Sequence, residues 1–336
     1  MDVLIWGAGA IGGTIGAHLS RAGHQVTCVD RDTAHVAAIN RHGLQMTGPV
    51  AAFTAPAAAF TPETLDGQYG TVLLCVKAQD TEAAVQALEP HLCPDGYVVS
   101  VQNGLNELVI ERIIGCERTV GAFVNFGADY HAPGTILFGG RGAVVLGELD
   151  GTLTPRLTEL HRVFLDFEPN AIVTANIWGY LWGKLAYGAQ LFATALTPDS
   201  IADAFADPQY QDLYIALARE VMRVAQANGI TAEGFNGFDP LAFMPGTDHG
   251  VSVKSLQDMV RFNAQSAKTH SGVWRDLAVR KRRTEADDQL GPIVTFGDKL
   301  GVPTPLTAGL IALIHDIEDG KRLQEKANLD ILKTAF

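Results

Sequence analysis

At 336 residues the chain exceeds most single domains and predicts two. Its composition, 47% hydrophobic and 18% charged, supplies well-buried cores and excludes a disordered protein. With 37 acidic against 25 basic side chains, a net charge of -12 excludes nucleic acid and an anionic membrane surface as main partners, while a local basic pocket for an anionic metabolite stays open.

The N-terminus enters a strand directly, with no basic-then-apolar leader, and no apolar run approaches membrane-spanning length. A soluble, cytoplasmic protein is the expectation. "VLIW" reads as a buried strand, and "AIGGTIGAHLSRAG" as a helix closed by Gly23. "QVTCVD" is the next strand, followed by the helical "TAHVAAINRHG" and a Pro- and Ala-rich passage. The apolar run "TVLLCVK" precedes the helix "DTEAAVQALEPHL", with Asp80 as its expected N-cap. "GYVVSVQNG" is a strand ending in a turn, "ELVIERIIG" a short helix and "TVGAFVNFGA" another strand. "GTILFGGRGAVVLGEL" reads as two short strands joined as a hairpin. A helix runs from Pro155 to about Phe167. From Ala175 onward strand signals almost vanish, and helices are punctuated by Pro198, Gly229, Pro240 and Pro245. The predicted fold class is α/β: a Rossmann-type doubly wound parallel sheet over 1–172, then an all-helical domain over 173–336. Its many apolar positions accommodate a homodimer, which no heptad pattern specifies.

The four cysteines, Cys28, Cys75, Cys93 and Cys116, have no metal-ligand spacing, and reduced core residues are expected rather than disulfides. No metal is expected.

"WGAGAIGG" follows the first strand and opens the first helix. Gly7, Gly9 and Gly12 form G-x-G-x-x-G, with Ala10 and Ile11 inside it and Gly13 adjacent. The first glycine permits a tight turn, the second lets backbone approach a pyrophosphate, and the third lets the helix lie close to the sheet. With Asp30 at the end of the next strand, the loop predicts a bound dinucleotide. Asp30 would grip a ribose diol and repel a 2'-phosphate, favouring NAD. Arg31 would stack on adenine, pair with that phosphate so that NADP is also used, or form a solvated pair with Asp32.

Lys77 in "CVKAQDT" and Asn103 in "SVQNG" end strands, where the ligand crevice of an open parallel sheet lies. An amine and an amide there can orient a nicotinamide or a substrate oxygen; the plainer readings are a snorkelling lysine and an Asn-Gly turn. "LWGKLAYG" places Lys184 among Leu181, Trp182, Leu185 and Tyr187. Facing an interdomain cleft, such a lysine has its pKa lowered by desolvation and is suited to proton exchange. Arg280, Lys281, Arg282 and Arg283 read first as a solvated helix face. Ser271, Arg275 and Glu285, on one or two helices, are placed to line a pocket for a small carboxylate.

In order and spacing, "GAGAIGG", "VKAQDT", "QNG", the "W-x-K-L" lysine and "HSGVWRD…RRTEAD…G" followed by "LGVPTP" resemble the ketopantoate reductase (2-dehydropantoate 2-reductase) family over nearly the whole chain. The resemblance implies that the glycine loop binds pyrophosphate and that Lys77 and Asn103 contact cofactor and substrate. It makes Lys184 the acid that protonates the ketone oxygen as nicotinamide delivers hydride, and gives Glu285 a supporting role. It also sets Arg31 where these enzymes hold the 2'-phosphate of NADPH. Departures are equally specific: Gly188 and Phe192 stand where the family places asparagines, Ser271-Gly272 replaces a serine pair, and Arg275 replaces a glutamine. The pocket should therefore keep the chemistry of 2-oxo and 2-hydroxy acids without being confined to ketopantoate. An opine- or imine-type dehydrogenase is a second enzymatic reading, to which Lys184 with Glu285 is poorly suited. A regulator that senses NAD(P) without turnover is the non-enzymatic one.

Overall fold

In the computed structural model, which describes residues 1–265 and 269–335, the opening apolar run forms β1 (Asp2–Trp6). Its side chains alternate between two cores. Val3 and Ile5 join one and Leu4 and Trp6 the other, as a strand covered on both faces requires. The first of two compact units, Met1–Ile177, continues with α1 (Ala10–Arg21), β2 (Gln25–Val29), α2 (Thr33–His42), β3 (Leu44–Thr47), β4 (Phe53–Ala55), β5 (Ala58–Phe60) and β6 (Tyr69–Leu74). After these come α3 (Thr81–Leu88), β7 (Leu92–Ser100), α4 (Glu107–Ile114), β8 (Thr119–Val124), β9 (Gly127–Ala132), β10 (Thr135–Gly140), β11 (Val144–Glu148), α5 (Pro155–Leu165) and β12 (Ile172–Val173).

The main sheet has the order β12-β11-β8-β7-β6-β1-β2-β5. From β5 to β8 every pair is parallel, and β11 then joins β8 antiparallel. Strand order reverses beside β1, which places the ligand crevice at the carboxyl ends of β1 and β6. The Rossmann-type expectation is thus met.

Two local expectations fail. β10 and β11 are not a hairpin: β10 pairs with β9 and β3 in a second sheet of order β4-β3-β10-β9, whereas β11 belongs to the main one. Arg141, Gly142 and Ala143 carry the chain from one sheet to the other. A Cβ on Gly142 would overlap the Asn125 carbonyl, so the crossing depends on a bare backbone there. The Pro- and Ala-rich passage, in turn, contains β3, β4 and β5.

The second unit, Trp178–Phe336, is helical, and α6 (Ile177–Thr194) leads into it. It holds α7 (Ile201–Ala206), α8 (Gln211–Ala227), α9 (His249–Ala264), α10 (Gly272–Arg275), α11 (Ala286–Leu300), α12 (Pro305–Glu318) and α13 (Ala327–Lys333). Among its described residues the only β pairing is an isolated bridge between Phe235 and Phe238. The buried Glu220 carboxylate accepts from Leu306 N at 3.1 Å and Thr307 N at 2.7 Å, capping α12 where Thr304 supplies no side-chain cap. Lys326 pairs with Asp207 at 2.7 Å and Tyr210 donates to Asp330 at 3.0 Å, which fastens the C-terminal helix to the loop before α8.

The basic run is exposed, as expected, but its arginines are ion-paired and it forms no single helix face. Arg280 and Arg282 converge on the buried Asp276 carboxylate at 2.9 and 3.0 Å, and Arg283 reaches Glu318 and Asp319 at 2.8 and 2.6 Å. Between them Lys281 takes a left-handed conformation, φ 50°, that breaks the helix. All four cysteines are free, and burial pushes the Cys28 thiol up to about 12.

Candidate active site

The loop after β1 is anchored from below. Gly7, at φ 97°, donates from its backbone to Val29 O at 2.8 Å, and Ala8 does so at 3.2 Å, tying the loop to the end of β2. α1 then begins with Gly9 as an N-cap that makes no side-chain bond, and its first turn, with Ala10, Ile11 and Gly12, carries no acidic residue. These amides have no intrahelical acceptor, and the helix dipole favours negative charge beside them. A Cβ placed on Gly9 would meet nothing within 4 Å, so the loop borders open space that a side chain would fill. The residues present thus fit a pyrophosphate.

Gly12 serves a different purpose. A Cβ there would collide with the Gly7 carbonyl and approach Ile5 Cγ2 at 2.7 Å and Cys75 Cβ at 2.9 Å. Gly12→Ala should cost about 1–3 kcal/mol by overpacking. Urea denaturation should show the lower midpoint, and dinucleotide affinity should fall with it.

Behind the loop stands His35, fully buried on α2. Gly134 N donates to its Nδ1 at 2.8 Å, so Nε2 carries the proton and donates to Ala8 O at 2.8 Å. Tyr130 packs edge-on against this imidazole and donates to Asp32 at 3.1 Å. Asp32 caps α2 through Ala34 N and His35 N. Despite its desolvation, the bonds from His35 N, Tyr130 and Ala34 N hold the Asp32 carboxyl below its ordinary range. Burial and the Asp32 charge push the Tyr130 phenol up to about 12.

Asp30 is half-buried at the end of β2, with its carboxylate accepting from Asp32 N at 3.0 Å. Arg31 does not pair with Asp32. Its guanidinium reaches Asp80 at 3.2 Å, with side-chain exposures of 78% and 33%. Asp80 therefore faces Arg31 instead of capping α3 with its side chain as expected. This pair links the loops that follow β2 and β6, which flank β1 in the sheet.

Lys77 and Asn103 follow the neighbouring strands β6 and β7. Buried polar side chains join their loops. Gln102 Nε2 donates to Val76 O at 3.0 Å and to Thr81 Oγ1 at 2.8 Å. Thr81 donates to Asn106 Oδ1 at 2.9 Å, and Asn106 Nδ2 donates to Asn103 O at 2.6 Å.

In the helical unit, Lys184 lies half-buried on α6 among the buried Leu181, Trp182, Leu185 and Tyr187. One turn on, a Cβ at Gly188 would meet nothing within 4 Å, and the same holds for Gly272. Phe192 is packed in the core. The Ser271 hydroxyl accepts from Trp274 N at 3.1 Å and so caps α10, whose last residue is Arg275. Glu285 is buried at the N-cap position of α11. Ser271 caps α10 and Arg275 is its last residue, the chain running on as a π-helix over Asp276–Arg280, and Glu285 stands at the start of α11. A cavity of about 710 Å³ lined by Arg219, Arg223, His249 and Leu306 contains none of the predicted residues. Among the described residues no group of His, Cys, Asp or Glu is arranged to hold a metal ion, and no helix is long and apolar enough to cross a membrane.

A doubly wound dinucleotide-type sheet followed by a helical unit defines a class of two-part nicotinamide enzymes. Within it, residues 3–151 match the model of the ketopantoate reductase PanE/ApbA family and residues 176–318 match its C-terminal model. The chain belongs to the ketopantoate reductase family and is an NAD(P)-dependent enzyme of the 2-oxo acid reductase type. It is 27% identical to 2-dehydropantoate 2-reductase of Archaeoglobus fulgidus, covering 95% of this chain and 98% of that one. The crystal structure of a PanE/ApbA family ketopantoate reductase from Ralstonia eutropha is 28% identical with a TM-score of 0.80, covering 96% of this chain and 99% of the other. The ternary structure of D-mandelate dehydrogenase with NADH and anilino(oxo)acetate shares the fold at 23% identity and TM-score 0.82, covering 95% and 99%.

Proposed function

We propose that this enzyme interconverts a small 2-oxo acid and its 2-hydroxy acid with NAD(H) as the preferred cofactor, and that its pocket admits acids other than ketopantoate. The open cradle at Gly9, set against the bare first turn of α1, carries the cofactor reading. Bound nicotinamide supplies or accepts the hydride. Lys184 donates a proton to the oxygen on which negative charge builds, and in the oxidative direction its neutral amine accepts the hydroxyl proton. Lys77 and Asn103 orient cofactor and substrate, Arg275 and Ser271 receive the substrate carboxylate, and Glu285 supports the site.

Cofactor preference rests on Asp30, whose carboxylate suits a ribose diol and repels a phosphate, and on Arg31, already engaged with Asp80. Weaker use of NADP(H) follows from a guanidinium that remains nearby. The breadth of substrate rests on Gly188 and Gly272, which leave open space in place of polar side chains. Ketopantoate and pantoate are the first pair to test, and the NADH complex of D-mandelate dehydrogenase adds aromatic 2-hydroxy acids. The test is a panel of 2-oxo and 2-hydroxy acids assayed with NAD(H) and NADP(H) in parallel. Turnover of several acids, faster with NAD(H), is the expected result. Efficient reduction of ketopantoate alone would end the broad-pocket reading, a strong NADPH preference would end the cofactor reading, and absence of all turnover would end both.

A further inference from the structure

Lys77 and Asn103 leave two different strands, yet any joint action on one ligand demands that their spacing be fixed. Neither loop fixes it alone. Lys77 precedes a single tight turn, with Asp80 N donating to Lys77 O at 2.9 Å, and Asn103 precedes Gly104, which turns the chain at φ 97°. The hydrogen bonds among Gln102, Thr81 and Asn106 run from one loop to the other. They grip the Val76 carbonyl, in the peptide that leads into Lys77, and the carbonyl of Asn103 itself.

We infer that Thr81 is a positioning residue, whose hydroxyl locks the Lys77 and Asn103 loops into one register. The direction of every bond supports this. An amide NH₂ can only donate, so Thr81 Oγ1 must accept from Gln102, and its single proton is then left for Asn106 Oδ1. With Asn106 Oδ1 accepting, its Nδ2 is turned to Asn103 O. The Val76 and Asn103 carbonyls, which can only accept, orient the two amides, and the Thr81 hydroxyl joins them by accepting from one and donating to the other. Gln102, Asn106 and Thr81 are all buried, so water does not stand in for a lost partner. Valine matches threonine in shape but can neither accept nor donate at this position. Serine keeps both functions. The inference rests on the proposed roles of Lys77 and Asn103, and the experiment separates the two.

Thr81→Val and Thr81→Ser are compared with Lys77→Ala and Asn103→Ala in the intact enzyme. Readouts are kcat/KM for the best 2-oxo acid of the panel, and affinities for NADH and for ADP-ribose, which lacks nicotinamide and would engage the glycine loop, Asp30 and Arg31. Thr81→Val should lower kcat/KM about 10–100-fold, the scale of a modest misplacement of reacting groups. Its affinity for ADP-ribose should stay within twofold, and Thr81→Ser should recover most of the loss. Thr81→Val within twofold of wild type in kcat/KM and NADH affinity overturns the inference. So does equal loss of NADH and ADP-ribose binding, which marks a purely structural role, or failure of serine to rescue. If Lys77→Ala and Asn103→Ala are themselves silent, the proposed roles of those residues fall instead.

Discussion

Lys184→Ala is expected to lower kcat by about 10²–10⁴-fold, the usual contribution of one positioned acid. NADH affinity, measured by protein fluorescence or calorimetry, should stay within about threefold. The separation matters because a sensor that binds dinucleotide without turnover would show neither the wild-type rate nor the loss. Trp182 and Leu185, the adjacent buried residues on α6, fix the helix that presents Lys184, so truncating the amine alone leaves the scaffold intact. Lowering kcat and kcat/KM together would identify an interaction made in the transition state, whereas a change confined to KM would assign Lys184 to ground-state binding. An unchanged kcat would remove it from the chemistry.

The second large effect concerns Asp30. Asp30→Ala should raise the ratio of kcat/KM for NADPH over NADH by about 100-fold, equivalent to about 2.7 kcal/mol. Two contributions add: loss of a charged acceptor for the ribose diol weakens NADH, and loss of like-charge repulsion favours the 2'-phosphate. Arg31 would gain a target, although it must first leave Asp80. Steady-state kinetics with both cofactors decide the matter, and a ratio that does not move would show that the carboxylate plays no part in discrimination.

The main sheet was legible in the sequence because its strands are continuous apolar runs separated by helices of the right length. "VLIW", "QVTC" and "TVLL" could hardly be anything else. The second sheet was not. β4, in that sheet, and β5, at the edge of the main one, have three residues each and acquire their identity only by pairing with β3 and β2. "GTILFGG" and "AVVLGEL" have the pattern of a hairpin, and nothing local reveals that each pairs elsewhere. The glycine loop, Asp30, Lys77 and Asn103 stand out in the sequence because their positions at strand ends are visible from periodicity. Thr81, Gln102 and Asn106 stood inside or beside the same motifs, but their partnership depends on the adjacency of β6 and β7. Their signal was available as polar side chains at the ends of strongly apolar strands. His35 and Tyr130 offered less, since the histidine's partners lie far away in sequence at Ala8 and Gly134.

The pairing of His35 with Gly134 has a thermodynamic consequence. The β9–β10 turn and the glycine loop share one imidazole, so a displacement of His35 that frees the Gly134 amide also frees the Ala8 carbonyl. A ligand that binds only the intact loop then adds RT ln(1 + [L]/Kd) to the free energy of that displacement. The Gly134 amide becomes a reporter of occupancy, its exchange with solvent slowing as dinucleotide concentration rises although it touches no ligand.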